Sequence, residues 1–479
     1  MSNNFQPKVI SLFLVLFLIC FYFLTQGRTL EYGYVDGSVM YNVTRSLVEY
    51  GDLKSMVPAF YRGESFITHS KYGLGLSLAS VPLYVSFKYA SQFINMEFKE
   101  SLIRRSPIYT NAIITGLGCL VLFWILLMFT KNQKDCLGLS LLYGLSTMAL
   151  VYSRSDFSEP LNTLCLLLSF YFLYQGRTKT LTEKNLVWSG FWMGAALLTR
   201  PASLIMIPLW LWQIIQGHSA GTSWKLKIKS VLVWAVPLGL FILIILWYNF
   251  YRYGSIFKTG YEVDFHDSHQ IKVFWTGLWG LTFGAGKGIV WYNPILWAAV
   301  PGFYYLFRKN RNMGFWISGI FLIHLLLYSG WACWEGGWCW GPRNLIPAIP
   351  FLFIPILFLL KGLTHQKRVV WDSLLVLGFV GLGVQFLGMV FPYGSYIQFM
   401  LNKGVLYEEL WTQTINSPLI GHFYILTKFP PRVWNFLVLN IFYNPDYYWV
   451  IFSSILFLLV MAYSAWQLAL FIRKPSSQD

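Results

Sequence analysis

Residues 9–24 read VISLFLVLFLICFYFL, and after a short break residues 32–55 read YGYVDGSVMYNVTRSLVEYGDLKS, with HSKYG following at 69–73. The first of these is an uncharged apolar run close to the length that crosses a bilayer as a helix. The second is the first long polar stretch in a chain whose charges otherwise fall mostly in short hinges. Asp36 stands where a helix leaving the hydrocarbon should end.

The same alternation continues along the chain. Apolar runs lie near residues 9 to 25, 107 to 129, 137 to 152, 160 to 175, 187 to 199, 201 to 216, 230 to 248, 289 to 306, 313 to 328, 345 to 361, 369 to 391 and 448 to 471. They predict an all-α integral membrane protein, a polytopic bundle of about twelve transmembrane helices. Composition agrees: of 479 residues 56% are hydrophobic and 19% aromatic, and only 12% are charged, against about 25% in soluble domains. The net charge of +16 would suit nucleic acid only on the basic face of a polar domain, and no stretch reads as one. Membrane lipids are the expected surroundings instead. The first run resembles the apolar region of a signal peptide but lacks a clear small-residue cleavage site, so it reads as a retained anchor.

Lys and Arg cluster between the apolar runs, as orientation signals do. With a cytoplasmic amino terminus, the inner side collects about 17 of the 36 basic residues against three acids, whereas the other side is nearly balanced. Both termini are then expected in the cytoplasm, and every long loop outside it: 26–106, 249–288, 329–344 and 392–447. In the first loop, Gly37 to Tyr50 suits a short amphipathic helix. Residues 73–95 are apolar enough to span, but spanning would turn the basic hinges outward, so they are expected to lie on the outer surface. No repeat or soluble domain is visible, and 1–479 reads as a single transmembrane domain. Cys333 and Cys339 share one loop and can pair only if it folds back; free thiols are the simpler reading.

Several polar groups fall in these loops. Asp36 can cap a helix, or it can serve as a general base, because partial desolvation raises a carboxylate's basicity. Ser153 to Pro160, SRSDFSEP, brings Asp156 and Glu159 to one face of a turn. That spacing suits capping, holding an acceptor hydroxyl or holding a divalent metal. His69 and Lys71 stand beside the surface segment, where a cation can anchor to headgroups or meet a lipid-linked phosphate. Arg200, between two apolar runs, needs an acid or a phosphate as partner, with Asp156 and Glu159 as candidates. The loop SGWACWEGGWCWGPRNLIPAIP holds Trp334, Glu335, Trp338 and Arg343 around glycines that specify a shaped turn, and its rings suit sugar or polyprenyl contact. Lys287 follows another glycine-rich turn without nucleotide-loop spacing. Metal-ligand, nucleophile-elbow and dinucleotide motifs are absent from the sequence.

In their order and spacing these pieces resemble the membrane-embedded GT-C glycosyltransferases, which include the protein O-mannosyltransferases and the lipid A aminoarabinose transferase. The resemblance covers most of the chain and rests on YVDGSVMY (34–41), SKYGLGLSLASVPLY (70–84), SEPLNTLCLLLSFYFLY (158–174) and FWMGAALLTRPASLIMIPLWL (191–211). YRYGSIFKTGY (251–261), FGAGKGIVWYNPILW (283–297) and WEGGWCWGPRNLIPAIPF (334–351) are similar to the bacterial dolichyl-phosphate-mannose-transferase-like branch. The resemblance implies a GT-C fold and inverting hexosyl or pentosyl transfer. The donor would be a polyprenyl-phosphate sugar, and the acceptor a hydroxyl of a lipid, glycan or protein, without an obligatory cofactor.

It implies Asp36 as general base, Asp156 or Glu159 as second acid, and Lys71, Arg200 and Arg343 on the donor phosphate, with His69 and Lys287 as further cations. Tyr41, Tyr72, Tyr261, Trp334, Glu335 and Trp338 would touch sugar or lipid. The expected location is a bacterial inner membrane, with the site on the periplasmic side. Two departures stand out: Asp36 is followed by Gly37 rather than a second acid, and His69 to Tyr72 replaces a Pro-Pro pair. A lipid-linked glycan flippase and an oligosaccharide polymerase or ligase are the rival readings. A transporter should carry ionisable groups at mid-membrane, and the one acid within a run is Asp372.

Overall fold

The computed structural model describes residues 7–27, 35–55, 57–58, 66–67, 69–93, 96–179, 182–219, 221–261, 271–429 and 448–473. Each of the apolar runs is helical. The chain opens with α1 (Pro7–Leu24), α2 (Val35–Tyr50), α3 (Gly75–Ala90), α4 (Met96–Arg104), α5 (Ser106–Leu127), α6 (Gln133–Ser146), the one-turn α7 (Ala149–Tyr152) and α8 (Glu159–Lys179). It continues with α9 (Glu183–Thr199), α10 (Ile207–Gln216) and α11 (Trp224–Tyr253). The later helices include Arg311–Ser329, Phe353–Gly362, Lys367–Val390 and Tyr448–Arg473. Seven helical stretches among the described residues are long and apolar enough to cross a membrane. The remaining runs are shorter, less apolar or interrupted.

The interruptions follow from the sequence. Pro294, Pro347 and Pro350 remove amide donors, and tight 3-10 turns over Pro294–Ala298 and Arg343–Leu352 replace regular helix there. Between α6 and α7 the backbone at Thr147 is extended, which leaves the buried amide of Met148 without a helical partner. Asn293 supplies one, its Oδ1 accepting from that amide at 2.9 Å. Helix starts are capped in the ordinary way by Asn132, Thr182 and Asn310, whose side chains accept from amides of the first turn.

Most buried apolar side chains, from Ile10 to Leu468, form one contiguous cluster, and Val43, Leu53, Leu74, Leu198 and Tyr248 form a second, smaller one beside the first loop. Around it, α11 leaves Leu232, Val236, Leu240, Leu243 and Trp247 exposed, a surface whose natural solvent is hydrocarbon. This is an integral membrane protein. In the first loop α2 and α3 lie against each other, joined by Thr44 Oγ1 to the Ser77 carbonyl (3.0 Å) and Ser77 Oγ to the Met40 carbonyl (2.9 Å). α3 also meets α5 through Phe87 on Tyr109.

The two ends of the bundle differ in charge. The basic hinges meet at one end, where Lys367 pairs with Asp135 (2.8 Å), Lys361 donates to the Phe129 carbonyl and Lys134 to that of Ile472. Asp36, the turn before α8, Arg200 and the 330–343 loop sit at the other end. Asn293→Ala should strand the Met148 amide and cost about 1–3 kcal/mol. Thermal unfolding in detergent reads that loss as a lower Tm.

Candidate functional site

Arg200 terminates α9 and Arg343 opens the 3-10 turn that leads into the 353–362 helix, so both guanidinium groups start from helix ends. Between them lies Glu159, in the first turn of α8 and 1% exposed. Arg200 pairs with its Oε1, and Arg343 Nε lies 3.7 Å from the same oxygen. Arg200 further donates to Asn344 Oδ1 (3.1 Å) and to the Tyr328 hydroxyl (3.4 Å). Arg343 stacks over Phe157 and donates from Nη1 to Asp36 Oδ2 at 2.9 Å.

Asp36 stands in the first turn of α2, and the Tyr72 hydroxyl donates to its other oxygen at 2.5 Å. Burial alone pushes its carboxyl pKa up. Arg343, the Tyr72 hydrogen bond and the Lys71 charge together outweigh that penalty and hold it below the ordinary aspartate value. The same proximity, with burial, drives the Tyr72 phenol well above its usual range. The Lys71 ammonium lies 5.3 Å from the centre of the Tyr261 ring.

Asp156 is presented by the turn before α8, which Asn111 fixes by donating to the carbonyls of Ser155 (2.8 Å) and Phe157 (2.7 Å). Its carboxylate lies against the bare backbone of Gly37. A Cβ at that position would fall 1.8 Å from Asp156 Oδ2. The glycine that replaces a second acid after Asp36 therefore makes room for an acid arriving from another segment.

The loop that delivers Arg343 is held from beneath. Gly336, Gly337 and Gly341 all take positive φ (76°, 75° and 60°), as the paired glycines predict. Lys287 is fully buried, donating to the carbonyls of Cys339 (2.6 Å) and Gly337 (3.3 Å) with its ammonium over the Trp411 ring. Tyr152 donates to the Trp340 carbonyl at 2.8 Å. Among the described residues the cysteines, Cys333 and Cys339 included, form no disulfide.

The structure thus brings together Asp36, Asp156, Glu159, Lys71, Tyr72, Arg200, Tyr261 and Arg343. It sends the others elsewhere. Lys287, expected as a phosphate ligand, is instead a clamp under the loop, because its donors are spent on loop carbonyls in a buried site. His69 packs edge-on to Tyr251, with Lys54 and Arg252 as charged neighbours. Tyr41 is buried on the α2–α3 side against Tyr84. Trp334 is buried against Gly280, Trp338 lies near Gly394, and Glu335 accepts from the Tyr407 hydroxyl at 3.4 Å. Tyr328, Asn344 and Asn111 were not legible as site residues. Asn344 at least adjoins Arg343, whereas Tyr328 ends an apolar helix with nothing to mark it.

Among the described residues no group of three or more His, Cys, Asp or Glu side chains converges as a metal site. The oxygens of Glu159 face two arginines, whose charge opposes a divalent ion at that carboxylate.

No family model matches the chain, and no curated protein matches it by sequence. Solved structures do match. The Archaeoglobus fulgidus oligosaccharyltransferase in its apo form superposes with a TM-score of 0.53 at 11% identity, covering 82% of this chain and 55% of that one. Its complex with zinc and sulfate gives a TM-score of 0.52 at 12% identity over 84% and 58%. ArnT from Cupriavidus metallidurans, bound to undecaprenyl phosphate, gives 0.50 at 13% identity over 89% and 78%. The chain thus spans little more than half the length of the archaeal enzyme and most of ArnT. The shared architecture is the GT-C membrane fold.

Gly37→Ala is expected to lose about 1–3 kcal/mol by forcing Asp156 aside. On an Asp156→Gly background the same change should cost almost nothing, a coupling that thermal unfolding of the four proteins measures directly.

Proposed function

We propose that this protein is a membrane glycosyltransferase acting by inversion, moving a hexosyl or pentosyl unit from a polyprenyl-phosphate donor to a hydroxyl of a lipid, glycan or protein. The basic hinges support a bacterial inner membrane with the site on the extracytoplasmic side. The observation that carries the reading is that Asp36 shares one cluster with Arg343, Arg200 and Lys71 at the end of the bundle away from those hinges. The GT-C architecture supports it, and so does the undecaprenyl phosphate bound to ArnT.

Within this reading the acceptor hydroxyl gives its proton to Asp36 as its oxygen attacks the sugar's anomeric carbon. The bond from that carbon to the phosphate oxygen breaks, and polyprenyl phosphate leaves with the bonding pair. Its developing charge meets Arg200, Arg343 and Lys71, fixed donors that need little reorganisation. Tyr72 and Tyr261 flank the position a sugar would take.

Asp36 held by Arg343 is a weak base, so the donor has a second task. Three cations face three carboxylates here, and an incoming phosphate must displace a carboxylate from its arginine. Glu159 is buried at 1% side-chain exposure, whereas the Asp36 side chain keeps 23%. Asp36 is the one to yield. Once the phosphate takes Arg343, Asp36 loses a positive neighbour and its basicity rises.

Replacing Asp36 with Asn should lower transfer from a labelled polyprenyl-phosphate sugar by about 10²–10⁴-fold while donor binding persists. Full activity in that variant removes Asp36 as base. Use of a lipid-pyrophosphate sugar alone would make the protein a polymerase or ligase. Movement of lipid-linked glycan between leaflets without transfer would make it a flippase.

A pH profile tests the displacement. In the free enzyme Asp36 is ionised above a depressed pKa, so kcat/KM falls only once pH drops through that low value. In the donor complex the carboxyl is freed, and the acid limb of kcat should lie at higher pH. Coincident limbs would contradict the exchange.

A further inference from the structure

We infer that Arg252 is a positioning residue for Asp36, acting through the backbone of the turn that carries Tyr72. The inference rests on Asp36 being the base of the transfer proposed above.

Arg252 lies in the last turn of α11, where a cation is favoured by the helix dipole. It is 9% exposed, and its guanidinium sits 4.0 Å from the centre of the Tyr248 ring and 4.9 Å from that of Tyr253. Nη2 donates to Asn249 Oδ1 at 2.5 Å. Nη1 reaches across to the first loop, donating to the carbonyl of Ser70 at 2.5 Å and more weakly to that of Tyr72 at 3.4 Å. No bond runs from Arg252 to Asp36 itself.

The turn it grips is held from its other side by α9. A Cβ at Gly73 would fall 2.1 Å from the Leu198 carbonyl oxygen, and one at Gly75 2.1 Å from Thr199 Oγ1. Residues 70–75 are therefore threaded between the ends of α9 and α11, which pack as a pair with Phe191 edge-on to Phe241 and Trp234 bonded to Ser189. Arg200 ends α9 and Arg252 ends α11, so the same pair places a cation in the cluster and fixes the turn beside it. What the turn delivers is the Tyr72 hydroxyl on Asp36 and the Lys71 ammonium near Tyr261. A hydrogen bond weakens steeply as its geometry departs from linear, so the Tyr72 bond to Asp36 depends on where the backbone of this turn is held.

The charged and titratable groups facing Asp36 are Arg343 from the 330–343 loop, Tyr72 and Lys71 from this turn, Tyr261, and Asp156 across Gly37. Arg252 governs the contribution of the turn alone. Its removal should loosen the Tyr72 hydroxyl, and with it the Lys71 charge, leaving Arg343 in place.

The test uses the full chain in lipid nanodiscs, with Arg252→Gln, Arg252→Lys, Tyr72→Phe and the Arg252→Gln/Tyr72→Phe pair. The ionisation of Asp36 is followed by infrared titration against Asp36→Asn, and transfer by the pH dependence of kcat/KM. Arg252→Gln and Tyr72→Phe should each raise the pH at which Asp36 protonates by about one unit, and the pair should move it by clearly less than the sum of the two. The acid limb of kcat/KM should follow, and Arg252→Lys should shift less. If Arg252→Gln does not fold, Arg252→Lys against Tyr72→Phe carries the comparison. Lost activity with an unmoved Asp36 titration, or additive shifts in the pair, would overturn the positioning role. A shifted titration in a protein that transfers no sugar would support that role and overturn the transferase reading instead.

Discussion

One buried carboxylate holds this site together. Glu159 is 1% exposed and stands between two arginines that arrive from segments far apart in sequence, one ending α9 and one opening the turn at 343. Without an anion between them, two guanidinium groups at that separation would repel. With it, Arg343 is steered so that its other face meets Asp36. Removing one partner of such a buried pair costs about 3–5 kcal/mol, because the remaining charge is left desolvated. The cluster is consequently a rigid object, and its rigidity is useful: donors aimed at a developing charge act best when nothing must move to aim them.

That rigidity is prepared by groups that never face the cluster. Lys287 clamps the loop behind Arg343, Asn111 fixes the turn that presents Asp156 and Glu159, and Arg252 grips the turn that presents Tyr72. Each donates to backbone carbonyls and so fixes main chain. The cluster also contains one carboxylate more open to solvent than the Glu159 bridge. Asp36 is more exposed than Glu159 and accepts from a single arginine nitrogen, which makes it the group that an incoming anion can displace.

Much of this was legible in the sequence for identifiable reasons. The apolar runs gave helices where they were expected, since hydrocarbon solvates only a backbone that satisfies itself. Asp36, Asp156, Glu159, Arg200 and Arg343 stood out because charge beside an apolar run is expensive and must be paired. Which charges pair was not legible. The Glu159 bridge and the Asp156–Gly37 contact join residues more than forty apart, and no local pattern encodes them. Lys287 shows the opposite error: a lysine after a glycine-rich turn looks like a ligand until the structure shows its ammonium buried under the next loop. Arg252 sits in an aromatic helix end with nothing local to mark it, and only the fold reveals the carbonyls it meets.

The proposed cycle turns on one exchange: the donor phosphate takes Arg343, and Asp36 is released to act as base. The most direct measurement is an experimental structure of the protein with a polyprenyl phosphate bound. The account predicts phosphate oxygens against Arg343 and Arg200, the Glu159 bridge intact, and Asp36 held only by Tyr72 and open to an acceptor. A phosphate bound elsewhere, with Arg343 still on Asp36, would contradict it.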